Sequence, residues 1–211
     1  MKKTFLLLLA LAISASCAKK QETTGQEEAA PLPEEATPTE QVQGPKKQTL
    51  TTSSGKSFLV LETETEGSLA DIRIIPQGFP NTADTIFLQG VDPVSQMFTG
   101  DLNQDGFEEL YLITTAAGSG SYATIYGCAS NKDLSATSIY VPDLNESDLA
   151  PGGKFEGYMG HDSIYLKDNT IFRKFPVYKE GDANCCPTGG DRTLGYALRQ
   201  GEASWVLDVK K

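Results

Sequence analysis

From Leu50 to the C-terminus no window places apolar residues at the i, i+3, i+4, i+7 spacing of a capped amphipathic helix. The chain instead runs in short stretches of β-branched and aromatic residues, broken by Gly, Asn, Asp and Pro. SFLVLETET (57–65), ADIRIIP (70–76), DTIFLQG (84–90), ELYLITT (109–115) and YATIYGC (122–128) are largely alternating. SIYVP, DSIYL, TIFRKFPVY, TLGYALR and SWVLDV continue the pattern. Two hairpins are close to explicit, one turning at Lys167-Asp168-Asn169 and one at Gln200-Gly201-Glu202. PDLNESDLA (142–150) has room for one short turn of helix. So many short strands predict an all-β fold, a single antiparallel β-sandwich or barrel-like domain over residues 50–211. No internal repeat is evident.

Residues 1–16 read as an export signal. Lys2 and Lys3 precede nine apolar residues, Phe5 to Ile13, too short a run to span a bilayer, and small residues follow. The residue at the expected cut is Cys17. SASC resembles a bacterial lipobox, with Ser14 where Leu is usual, and implies that Cys17 is acylated and anchors the chain to a membrane. The chain is then expected to be exported and lipid-anchored to the envelope of a Gram-negative-type bacterium, on the periplasmic face or the cell surface. Residues 17–49 are rich in Glu, Pro, Gln and Thr and nearly empty of large apolar side chains, so they are expected to form a disordered tether. About 30 such residues reach roughly 30 Å.

Charge narrows the partners. The chain carries 18 Lys and Arg against 28 Asp and Glu, a formal charge of −10. Acidic and basic residues balance before Leu50, so the whole excess lies in the domain. Nucleic acid, which needs a basic face to displace counterions, is excluded as a partner; a cationic one is favoured. Beyond Cys17 there are three cysteines, Cys128, Cys185 and Cys186. In an oxidising compartment the candidate bridges run from Cys128 to either member of the vicinal pair, or between Cys185 and Cys186 at the cost of strain. The spacing does not suit a Cys/His metal site.

Three loops carry candidate chemistry. In GDLNQDGFEEL (100–110) the oxygens of Asp101, Asn103 and Asp105 alternate and Gly106 follows at the turn. With Glu109 they form a candidate calcium site, although the flanks read as strands and Leu112 stands where an EF-hand places its last glutamate. The same residues read equally as an Asx-turn hairpin. GYMGHD holds His161, the chain's single histidine, beside Asp162; with no G-x-S-x-G elbow a hydrolase triad is disfavoured, and the pair is expected to fix a turn. TTAAGSGSYATIYG (114–127) is a small-residue connection between two strands.

GDLNQDGFEELYL, AGSGSY, YMGHD, FPVYKEGDANCCPTGGDRTLGYAL and GEASW occur in an order that resembles the periplasmic inhibitors of invertebrate-type lysozyme, over roughly residue 84 to the C-terminus. The resemblance implies an all-β antiparallel fold, no catalytic activity, no required cofactor, lysozyme as partner and a homodimer. It further implies that Ser119-Gly120-Ser121-Tyr122 enters the lysozyme cleft. A lysozyme cleft holds two carboxylates around the scissile bond. On this reading Ser119 donates to one of them, Tyr122 anchors beside it, Ser121 assists, and Gly118 and Gly120 let the backbone approach closely. The competing expectation is a calcium-dependent envelope-binding or adhesion module built on the DLNQDG loop.

Overall fold

The computed structural model describes residues 44–81 and 83–210. The expected export signal, the expected anchor at Cys17 and the expected linker up to residue 43 lie outside them. Among the described residues twelve strands form three sheets, each a four-stranded antiparallel meander in chain order. The first holds β1 (Lys46–Thr51), β2 (Ser57–Glu64), β3 (Ala70–Gln77) and β4 (Ile86–Val91). The second holds β5 (Val94–Gly100), β6 (Glu109–Thr115), β7 (Ala123–Asn131) and β8 (Ser135–Ile139). The third holds β9 (Ser163–Lys167), β10 (Thr170–Pro176), β11 (Asp191–Gln200) and β12 (Trp205–Val209). The expected all-β antiparallel class is what the chain adopts.

The second sheet lies between the other two. Along β6 successive side chains point to opposite faces. Leu110 and Leu112 pack with Phe58, Val60, Ile72 and Ile74 of the first sheet. Tyr111 and Ile113 pack with Ile171, Tyr196, Leu198 and Leu207 of the third. Both faces being covered, Glu109–Thr114 are all buried, and Leu110–Ile113 read as a continuous apolar run, the pattern of a strand buried on both sides. A simple alternation was the wrong expectation for ELYLITT. The three sheets accordingly stack in three layers.

The domain also begins earlier than residue 50. β1 pairs with β2 from Lys46↔Glu62 to Thr51↔Ser57, and Lys46 Nζ stands 3.6 Å from the buried Glu62 and 2.9 Å from Glu64. KKQTLT is mostly exposed, a charged edge strand of the kind that discourages further pairing. The hairpins fall as expected. β9 and β10 are joined by Asp168 and Asn169, both in the left-handed region (φ 47° and 51°), the requirement of a type I′ turn. The single turn of helix is α1 (Glu146–Leu149), closed by a capping box between Asn145 and Asp148.

Cys128 does not form the bridge considered for it. It is a free, fully buried thiol on β7, in the core between the first and second sheets, and the disulfide joins Cys185 to Cys186. Burial pushes the Cys128 thiol up to about 12, so almost no thiolate exists at neutral pH. In a chain carrying Cys17→Ser, an aromatic disulfide reagent should therefore find no reactive thiol until denaturant unfolds the protein, and one afterwards. Rapid labelling of the native chain would contradict this placement.

Candidate functional site

The SGSY segment caps the β6–β7 hairpin. The last ladder pair is Thr115↔Ala123, and Ala116 N donates to Tyr122 O at 2.9 Å. Inside the loop Ser121 N donates to Gly118 O at 2.9 Å, with Ser121 at φ 42°. Ser119 is exposed, and its hydroxyl has no partner among the described residues. Tyr122 is 45% exposed, although its ring is not loose. It meets Tyr158 edge-on at 5.7 Å, and Tyr158 in turn packs on Phe175 and Phe155 at 4.9 and 5.5 Å.

Two further loops converge on this one. The backbone N–H of His161, held at φ 58°, donates to Gly120 O. Asn184 Nδ2 reaches Ser119 O at 3.4 Å, while Asn184 O accepts from Tyr178 Oη at 2.8 Å. The loop bearing Asn184 and the Cys185–Cys186 disulfide is closed by Asp182, which accepts from Lys179 N, Thr188 N and Thr188 Oγ1. Those bonds hold the Asp182 carboxyl below its usual range. Three motifs far apart in sequence thus build one end of the molecule.

Beneath the loop lies a buried polar cluster. Asp162 Oδ2 accepts from Ala123 N at 2.9 Å and from Tyr158 Oη at 2.6 Å. Arg173 Nε stands 3.6 Å from Asp162 Oδ1, and Arg173 Nη2 donates to Ala123 O at 3.0 Å. The Asp162 side chain is 0% exposed and that of Arg173 8%. Burial, then the bond to Asp162, pushes the Tyr158 phenol upward. Both backbone polar groups of Ala123 are therefore clamped where β7 leaves the loop. Asp162 and His161 do not bond to one another. The His161 ring instead stacks on Tyr178 at 6.2 Å, so the pair fixes a turn.

Sequence reasoning missed Arg173 and Asn184. Arg173 left a signal: in TIFRKFP it has the same parity as Ile171 and Phe175, which point inward, and a charge on an inward face calls for a buried partner. Asn184 left none. The glycine roles also divide. Nothing lies within 4 Å of a Cβ added at Gly118, whereas one at Gly120 would strike the Tyr122 ring and come to 3.2 Å from Met159 O. Gly120 is needed for the loop's own packing.

An open groove of about 680 Å³ begins at Tyr122 and runs past Tyr140, Asp143, Asp148, Lys154 and Asp208. Its charged lining is Asp143, Asp148 and Asp208 against Lys154 and Arg173. At the other end of β6, about 20 Å of extended strand away, carboxylate oxygens of Asp101, Asp105 and Glu109 come within 4.8 Å of one another. Asp101 accepts from Asp105 N and Gly106 N, Asn103 Oδ1 from Asp105 N, and Asp105 from Phe107 N. The Asx-turn reading of this loop is thus present in full. Burial, aided by the neighbouring Asp101 and Asp105, pushes the Glu109 carboxyl up to about 8. Neither a family model, nor a curated protein, nor a solved structure matches the chain, so the site is read from its own residues and geometry.

Proposed function

We propose that the chain is a protein inhibitor of lysozyme, tethered to the cell envelope through Cys17, that presents Ser119, Gly120, Ser121 and Tyr122 to the enzyme's cleft. One observation carries the reading: an exposed hydroxyl and a half-exposed tyrosine stand on a hairpin tip held from below and from both sides. Such preorganisation lowers the ordering cost of binding. Tyr122 is a large, rigid, amphipathic anchor already propped by Tyr158, and the Ser119 hydroxyl is free to donate to an ionised carboxylate. The motifs that flank the tip, GHD and the Cys-Cys loop, are those that carry the resemblance to lysozyme inhibitors. The net charge of −10 speeds encounter with a cationic enzyme at low salt.

The test is inhibition of peptidoglycan lysis. The purified chain should block an invertebrate-type lysozyme at near-equimolar dose. The double variant Ser119→Ala/Tyr122→Ala, whose changes lie outside the buried core, should stay folded and, at matched folded fraction, require roughly 100-fold more protein for the same inhibition. Unchanged inhibition by that variant, or none by the parent, would overturn the reading.

A further inference from the structure

Glu109 opens β6 with a side chain fully sealed from solvent, 0% exposed. Its two oxygens have different fates. Oε2 accepts from Leu102 N at 3.1 Å and Tyr111 Oη at 3.2 Å. Oε1 is buried and has no partner among the described residues. A buried carboxylate oxygen without a donor is costly, and such atoms are uncommon in folded proteins. The same carboxylate lies beside two others, Asp101 and Asp105, within 4.8 Å. Ionised together, three carboxylates at this spacing would repel one another. A cation between them answers both problems, supplying the missing partner of Oε1 and neutralising the cluster.

We propose that Asp101, Asn103, Asp105 and Glu109 form a calcium site, with Glu109 as its buried ligand. The donors are all oxygen and mostly anionic, the set that hard divalent cations take. Calcium fits better than magnesium, because it tolerates irregular geometry, whereas magnesium demands near-ideal octahedral geometry and gives up its waters reluctantly. The loop is ordered before any ion arrives. Gln104 and Gly106 hold left-handed conformations (φ 60° and 90°), and the backbone N–H groups of Asp105, Gly106 and Phe107 fix the ligand side chains. Each of those carboxylate oxygens keeps a second lone pair for a metal. The ion ties the chain leaving β5 to the first residue of β6. This site stands apart from the inhibitor reading, since it lies at the far end of β6 from Ser119–Tyr122, and either can fail without the other.

Terbium, which replaces calcium at oxygen sites and is excited through a nearby tyrosine, gives a direct readout, because Tyr111 Oη already touches Glu109. On the purified chain, tyrosine-excited terbium emission should saturate at one ion per chain and be displaced by calcium well before magnesium. Calcium at about a hundredfold over its dissociation constant should raise the melting temperature by roughly 5–10 °C. Both signals should vanish in Glu109→Gln. Asp105→Ala, at a partly exposed position outside the core, should abolish them too and covers the case in which Glu109→Gln does not fold. No emission and no thermal shift in the parent at millimolar calcium overturns the site. So does a response that survives Asp105→Ala, and displacement by magnesium as readily as by calcium overturns the choice of ion.

Discussion

Asp162→Ala should destabilise the domain by about 3–5 kcal/mol, the cost of removing one member of a buried ion pair and stranding the other. Asp162 accepts from Ala123 N and Tyr158 Oη and faces Arg173, so its loss leaves a guanidinium, a phenol and an amide without their acceptor in a water-poor site. Arg173 would keep its bond to Ala123 O and its place at 5.8–5.9 Å over the rings of Phe155, Tyr158 and Tyr196. It would not be expelled cleanly, and its charge would stay buried. For a domain of this size the melting temperature should fall by roughly 10 °C. The double variant Asp162→Ala/Arg173→Met should recover part of the loss, because a buried pair replaced by apolar groups costs far less than a broken one. Chemical denaturation of the parent, both single variants and the double gives the cycle. A single variant within about 1 kcal/mol of the parent, or a double that merely adds the two losses, would show that this cluster does not hold the base of the loop.

The strands were legible because each carries its own local signal. Alternation located β2, β3 and β7 to within a few residues, and Asp168-Asn169 announced the β9–β10 turn. β1 was not legible. KKQTLT has no apolar periodicity and owes its conformation to pairing with β2. The third layer was written in the unbroken run Leu110–Ile113, which an alternating template absorbs too readily. At the candidate site each motif was visible alone, but their meeting was not. Bonds such as Ala123–Asp162, Ala123–Arg173 and Ser119–Asn184 span 39, 50 and 65 positions, and no local pattern encodes which loops come together. The state of Cys128 was left open for a related reason: counting thiols says nothing of which are buried, and strand parity puts this one in the core between two sheets.

Gly160→Ala should uncouple the loop from the body of the protein, whereas Gly118→Ala should leave the fold alone. Gly160 sits at φ 87°, where a non-glycine residue costs about 1–2 kcal/mol. A Cβ there would also drive into the Gly120 carbonyl, the acceptor of the His161 N–H, and come to 3.2 Å from the Tyr122 ring. Backbone cannot yield as a side chain can, so the added methyl must push the Ser119–Tyr122 tip away from the GHD turn. Overpacking of this kind adds roughly 1–3 kcal/mol. The melting temperature should drop by several degrees, and inhibition at matched folded fraction should weaken at least tenfold because the tip has moved. Gly118 has open space around its α-carbon and no left-handed requirement. Alanine there should melt within about a degree of the parent, so any loss of inhibition reports contact with the enzyme alone. A Gly160→Ala chain that melts and inhibits like the parent would mean that the GHD turn does not position the tip.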